Sequence, residues 1–140
     1  MSTKRNAAAR ITGYRALLNV LRFDTHGLMP TVIQDAVSKR VLTLCYLNRE
    51  ALKTSLAQGS VYVFRRSLKR LMQKGETSGH LQLIREVQVD CEGKSLVCLV
   101  QQHVAGCHAG YFSCYYRRLK GGRLRIGERR VFNPATVYRS

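Results

Sequence analysis

Acidic residues are scarce in this 140-residue chain. Eight Asp and Glu stand against 24 Lys and Arg, for a formal net charge of +16. The balance invites an anionic partner: nucleic acid, an anionic surface or a phosphorylated small molecule. The first 23 residues carry Lys4, Arg5, Arg10, Arg15 and Arg22 and no acid at all. No apolar run approaches the roughly 18 residues that a membrane helix needs, so a membrane partner is not expected. No compact apolar stretch precedes a small-residue cleavage site near the amino terminus, so no secretory signal is read there. The expected compartment is therefore the reducing cytoplasm, although an acid-free, Arg-bearing start is also compatible with organelle targeting. Five cysteines are present, none in a C-x-x-C pair. In a reducing compartment they are core thiols, metal ligands or reactive groups rather than a disulfide framework. Internal repeats and linkers are lacking too, which leaves one domain.

What is present suits a small core. The composition is 45% hydrophobic, as a globular chain requires. Basic residues cluster in RRSLKR (Arg65 to Arg70) and RRLKGGRLRIGERR (Arg117 to Arg130). Most of these charges are expected on solvated faces. Ile11, Tyr14, Leu18 and Leu21 share one helical stripe, which predicts a basic amino-terminal helix. Pro30 to Val37 and Arg40 to Leu47 read as two strands joined by a polar turn. Asn48 to Gly59 reads as a helix with Asn48 as N-cap, Glu50 in the first turn and Gly59 at the exit. Ser60 to Ser67 reads as a strand, and Lys74 to His80 as a polar loop.

Leu81 to Asp90 alternates, which directs Leu81, Leu83, Val87 and Val89 one way and Gln82, Glu86, Gln88 and Asp90 the other. CEGK reads as a turn, and Ser95 to His103 as a more buried strand, giving a hairpin. Tyr111 to Leu119 reads as a tyrosine-rich strand. The fold class is α+β, a small single domain dominated by antiparallel strands.

Cys45 and Cys98 fall inside apolar strand patterns and read as buried thiols. Cys91, beside Asp90 and Glu92, and Cys107 and Cys114, in GCHAGYFSC, lie in more polar, turn-like settings that suit thiolate ligands. Three thiolates would leave a tetrahedral zinc one open position, as a hydrolytic zinc needs. The spacing, 15 residues and then 6 between cysteines, supports zinc and three scattered thiols equally.

Several motifs in order resolve this differently. FDTHGLMPTVIQD, VLTLCYLNREAL, KGETSGH, VDCEGK and GCHAGYFSCYYRR together resemble the phosphoribosyl-AMP cyclohydrolase family of histidine biosynthesis. The resemblance runs from Phe23 to about Leu119. It divides the chain into a basic amino-terminal arm or helix (1–22), a cyclohydrolase-like domain (23–119) and a basic extension (120–140). The extension is expected to add an edge strand or a basic tail, and it is too short for the pyrophosphohydrolase domain that some bacteria fuse to this one.

The resemblance implies a homodimer whose zinc is held across the interface by Cys91, Cys107 and Cys114. It implies hydrolytic opening of the purine ring of 1-(5-phosphoribosyl)-AMP. For the proton shuttle, His108 comes first because it adjoins a zinc ligand, with His80 and Glu76 second. His108 could instead orient a ligand, and His80 could hold the loop together. Arg66, Lys74 and Arg117 flank the matched motifs as phosphate clamps, and Ser78 joins them as a substrate-binding residue.

The chain departs from the family at its magnesium motif, D-C-D-x-D. Asp90 is kept and Glu92 is a lengthened carboxylate, so both remain magnesium candidates. Lys94 replaces the third aspartate and repels a cation. Either the Lys94 ammonium stands in for magnesium, or a magnesium-dependent function has been lost. Met72 also stands where the family usually has tryptophan. The alternative function is a catalytically impaired, zinc-bound family member that binds RNA or another polyanion.

Overall fold

The computed structural model describes residues 7–138. Helix α1 (Tyr14–Leu18) precedes strands β1 (Met29–Asp35) and β2 (Val41–Leu47), helix α2 (Arg49–Gln58) and strand β3 (Tyr62–Arg65). A 3-10 turn (Arg66–Leu68) leads into β4 (Arg70–Gln73), and then β5 (Gln82–Val89) and β6 (Leu96–Gln102). Strands β7 (Arg117–Lys120) and β8 (Arg123–Ile126) and a short helix α3 (Pro134–Val137) close the described chain. The class is α+β with mostly antiparallel strands. Among the described residues, no helix is long and apolar enough to cross a membrane.

The main sheet has the order β2-β1-β6-β5. Both predicted hairpins, β1/β2 and β5/β6, are antiparallel, and the two join through a parallel β1/β6 contact. Strand β1 is central, with the period-two burial of a sheet covered on one face (Met29, Thr31, Ile33 and Asp35 buried). Helix α2 crosses that face. Asn48 accepts the Ala51 N–H at 2.8 Å, and Gly59 ends the helix at φ 71°, so both caps fall where the sequence predicts them. Ala51, Leu52 and Leu56 pack with Met29, Leu47 and Leu96. Burying Leu52 or Leu56 contributes about 1.5–3 kcal/mol each. A second cluster joins Ile33, Leu42, Val61, Ile84, Cys98 and Val100.

Burial pushes the thiol of Cys98 up to about 12 and that of Cys45 up to about 11, so both stay protonated core groups. Near the amino terminus the helix is short. Ile11, Tyr14, Leu17 and Leu21 pack against the first cluster, so Leu17 takes the place expected for Leu18.

Three elements depart from the expected pattern. Strand β5 is not a simple alternation: Gln82, Leu83 and Ile84 are all buried, and a bulge lies between Ile84 and Glu86. The segment after α2 pairs with the β5 edge, where Val61 N–H donates to Gln82 O and Ile84 N–H to Gly59 O. Gln82 is buried, whereas Val89 is 40% exposed. The basic block around Arg70 includes a strand, β4, paired with β3.

The segment from Tyr111 to Tyr116 is not a strand. It folds back on its own loop, with Gly106 N–H to Phe112 O (2.9 Å) and Cys107 N–H to Tyr111 O (3.2 Å). Single bonds then tie it to the β2 edge: Ser113 Oγ to Val41 O (2.6 Å) and Cys114 N–H to Leu42 O (2.7 Å). Regular pairing resumes only at Arg117, in a separate exposed hairpin with β8.

Candidate active site

The β3–β4 hairpin, the 74–80 loop, the start of β5 and the loop at 105–108 enclose a cavity of about 520 Å³. The polar loop bends sharply because Gly75 allows it. Its φ is 88°, and a Cβ there would lie 2.3 Å from the His80 carbonyl oxygen. Gly79 N–H donates to Gly75 O at 2.7 Å, and His80 N–H to Ser78 Oγ at 3.2 Å. Lys74, Glu76, Ser78 and His80 all line the cavity. The Glu76 carboxylate lies 3.4 Å from Arg70.

His80 stands edge-on to Phe132 at 4.7 Å, and its Nδ1 is buried without a hydrogen-bond partner. Burial holds the imidazole below its ordinary pKa, against an opposing pull from the Ala105 carbonyl. A neutral imidazole near pH 7 follows, able to accept a proton.

Gly106, His108 and Cys114 also line the cavity. His108 is exposed at the rim. Cys107 is buried, and its sulfur accepts from Ala109 N–H at 3.4 Å. Its thiol interacts with that of Cys114, whose own titration is raised chiefly by burial. Lys74 is close enough to favour the Cys114 thiolate. The fold thus brings together two thiols that are seven residues apart in sequence, one histidine at the rim and another in the wall.

Cys91 does not join them. It is exposed on the turn after β5, beside a second cavity of about 590 Å³ that Asn19 to Arg22 also line. Among the described residues no three His, Cys, Asp or Glu side chains converge as a metal-binding group within the chain.

Asp90 organises that turn. Its Oδ1 accepts from Glu92 N–H and Lys94 N–H, both at 2.9 Å, and its Oδ2 from the Ser95 hydroxyl at 2.6 Å. The Ser95 hydroxyl and the backbone N–H groups hold its carboxyl below the usual range. The Lys94 ammonium lies 3.3 Å from the Glu92 carboxylate.

The cations are arranged differently from the sequence expectation. Arg117 sits on β7, outside the cavity lining, with its guanidinium 5.8 Å above the Tyr116 ring. The side chain of Arg66 lies outside the described residues. Its neighbour Arg65 lines the cavity with Lys74, as does Met72. Sequence reasoning also missed Thr43, Gln82 and Tyr138 in the lining. Gln82 was hidden by its place in an alternating strand. Tyr138 lies far along the chain, returned by Val131 N–H bonding to Gly110 O.

A cavity lined by an uncharged, part-buried histidine, a thiol and two cations suits hydrolysis of an anionic substrate. Comparison with known proteins specifies the class. A family model described as phosphoribosyl-AMP cyclohydrolase matches residues 43–116. The phosphoribosyl-AMP cyclohydrolase of Methanosarcina acetivorans is 46% identical over 121 residues, covering 86% of this chain and 98% of that one. That of Chlorobium chlorochromatii is 42% identical over 125 residues, covering 89% and 91%. A histidine biosynthesis bifunctional protein of Thermoanaerobacter pseudethanolicus is 42% identical over 122 residues, and the chain spans 56% of its length. The chain belongs to the phosphoribosyl-AMP cyclohydrolase family.

Proposed function

We propose that the chain hydrolyses 1-(5-phosphoribosyl)-AMP in a zinc-dependent reaction, as a homodimer that completes each site across its interface. The observation that carries this is the approach of Cys107 to Cys114, which lines the cavity, while Cys91 projects from another part of the surface. Two thiols fit half of a tetrahedral zinc set, and Cys91 of a second copy fits as the third ligand. Bound there, zinc supplies a Lewis acid that makes hydroxide available near neutral pH.

The chain's own groups do the rest. His80 presents an unprotonated ring nitrogen in the wall and can take a proton from the attacking water. His108 at the rim returns a proton to the departing ring nitrogen in this reading. Arg65 and Lys74 bring positive charge for the substrate's phosphates, and Ser78 offers a hydroxyl beside them.

The Asp90 turn does not fit magnesium. Three donors already occupy the Asp90 carboxylate, and Lys94 neutralises Glu92. We therefore assign no magnesium to this turn, and Lys94 supplies its positive charge.

The test is turnover of phosphoribosyl-AMP by zinc-loaded protein, followed by absorbance with and without magnesium, beside Cys107→Ala. Turnover that is independent of magnesium and lost in the variant is expected. A folded, zinc-bound dimer with no turnover would refute the proposal.

A further inference from the structure

Gln82 is 1% exposed, yet it lines the cavity, and its Oε1 has no hydrogen-bond partner. A buried amide oxygen without a donor is costly and calls for an explanation. Its orientation is not free. Gln82 Nε2 donates to Gln102 Oε1 at 2.8 Å. Gln102 in turn points its own Nε2 at four carbonyl oxygens, those of His80 (3.2 Å), Leu81 (3.4 Å), His103 (3.1 Å) and Ala105 (3.2 Å). Turning the Gln102 amide over would set its oxygen against all four. The carbonyl cluster therefore fixes Gln102, Gln102 fixes Gln82, and the Gln82 Oε1 is left without a donor. His80 Nδ1, two residues away in sequence, is likewise buried and unpartnered. Neither atom is touched by solvent, so a bound group reaches them only where the wall gives way to it, and otherwise a trapped water satisfies them.

We infer that Gln82 is a specificity-determining residue whose locked Oε1 accepts an N–H from the exocyclic nitrogen of an adenine-type base. The inference deepens the proposed cyclohydrolase reading and rests on it. When the neighbouring ring nitrogen carries a substituent, the exocyclic nitrogen is the hydrogen-bond donor on that edge of the base. It lies on the carbon that water attacks, and it keeps an N–H after ring opening, as a carboxamide. One fixed acceptor thus holds the reacting carbon from substrate to product. A 6-oxo base would set oxygen against oxygen. A site built around one hydrogen bond rejects the analogue that lacks it far more strongly than an apolar pocket could.

The test uses 1-methyl-AMP and 1-methyl-IMP as probes, with affinities measured by calorimetry on the zinc-loaded protein. Wild type should prefer the amino probe by about tenfold or more. Gln82→Met, close in volume, should bring the ratio near one by weakening the amino probe. Gln102→Met, which frees the Gln82 amide to turn over, should lower the ratio while keeping the Gln82 side chain. Equal binding of both probes to wild type would overturn the inference without any variant. A ratio unchanged in Gln82→Met would also overturn it, and would assign the oxygen to a trapped water. Turnover of phosphoribosyl-AMP by wild type separates the two levels: its absence defeats the cyclohydrolase reading, whereas its presence with an unchanged ratio defeats only the role of Gln82.

Discussion

The cavity wall and the Asp90–Lys94 turn use polar side chains to opposite ends. In the turn, Asp90 takes three donors and Glu92 faces Lys94. In the wall, His80 Nδ1 and Gln82 Oε1 are buried and unpaired. Satisfied polar groups make a rigid platform. Unsatisfied ones are a standing cost that a bound group can relieve, and they mark where chemistry or recognition takes place. Cys91 rides on the platform, and Cys107 lies beside Cys114 at the cavity, so a shared metal would join the two regions only when two copies meet.

The largest effect is expected from breaking that junction. Cys91→Ala and Cys107→Ala should each lower turnover by more than roughly a hundredfold and remove zinc from the dimer, read by metal analysis. Mixing the two inactive variants after dissociation should restore roughly a quarter of wild-type turnover, because half of the dimers are mixed and each keeps one intact site. Two dead variants that stay dead when mixed, despite exchanging subunits, would place all the ligands in one chain.

Next is the hinge of the wall. Gly75→Ala puts a methyl against the His80 carbonyl at positive φ. It should cost about 1–3 kcal/mol in a denaturant melt and lower kcat/KM along with stability. Asp90→Ala is expected to loosen the platform while leaving the cavity intact. Zinc affinity should fall by roughly tenfold, with turnover recovered at excess zinc. If Asp90→Ala instead abolished turnover at saturating zinc, the turn would take part in the chemistry.

A smaller effect comes from His80. Its folded pKa lies below the ordinary value of 6.5, so the unfolded chain binds the proton more readily. Its contribution to stability is therefore unaffected above 6.5 and falls as pH drops below it. The melting temperature should decline over that window, and His80→Asn should flatten the decline. Smallest of all, Lys94→Ala breaks an exposed pair and should change stability by no more than about 0.5 kcal/mol.

Much of the fold was legible because its signals are local. Asn48 and Gly59 bracket α2, and the two hairpins follow from alternation and polar turns. The site was only partly legible. Lys74, Ser78, His80, His108 and Cys114 come together at one cavity, while Arg117 stacks on Tyr116 and Arg65 lines the wall. The tyrosine-rich segment misled because β-propensity describes a residue on a pleated surface, and here the chain closes on itself, with Tyr111 stacked on Tyr116 at 3.7 Å.

By itself, then, the sequence determined the strands of the main sheet, helix α2, the thiols within those strands and, through ordered motifs, the family. Only the tertiary structure decided which side chains meet. The return of Phe132 onto His80, the burial of Gln82 near a bulge and the separation of Cys91 from Cys107 all depend on residues distant in sequence. Periodicity reports which face of one element is apolar, whereas a site arises where faces of several elements converge, and that is settled by packing.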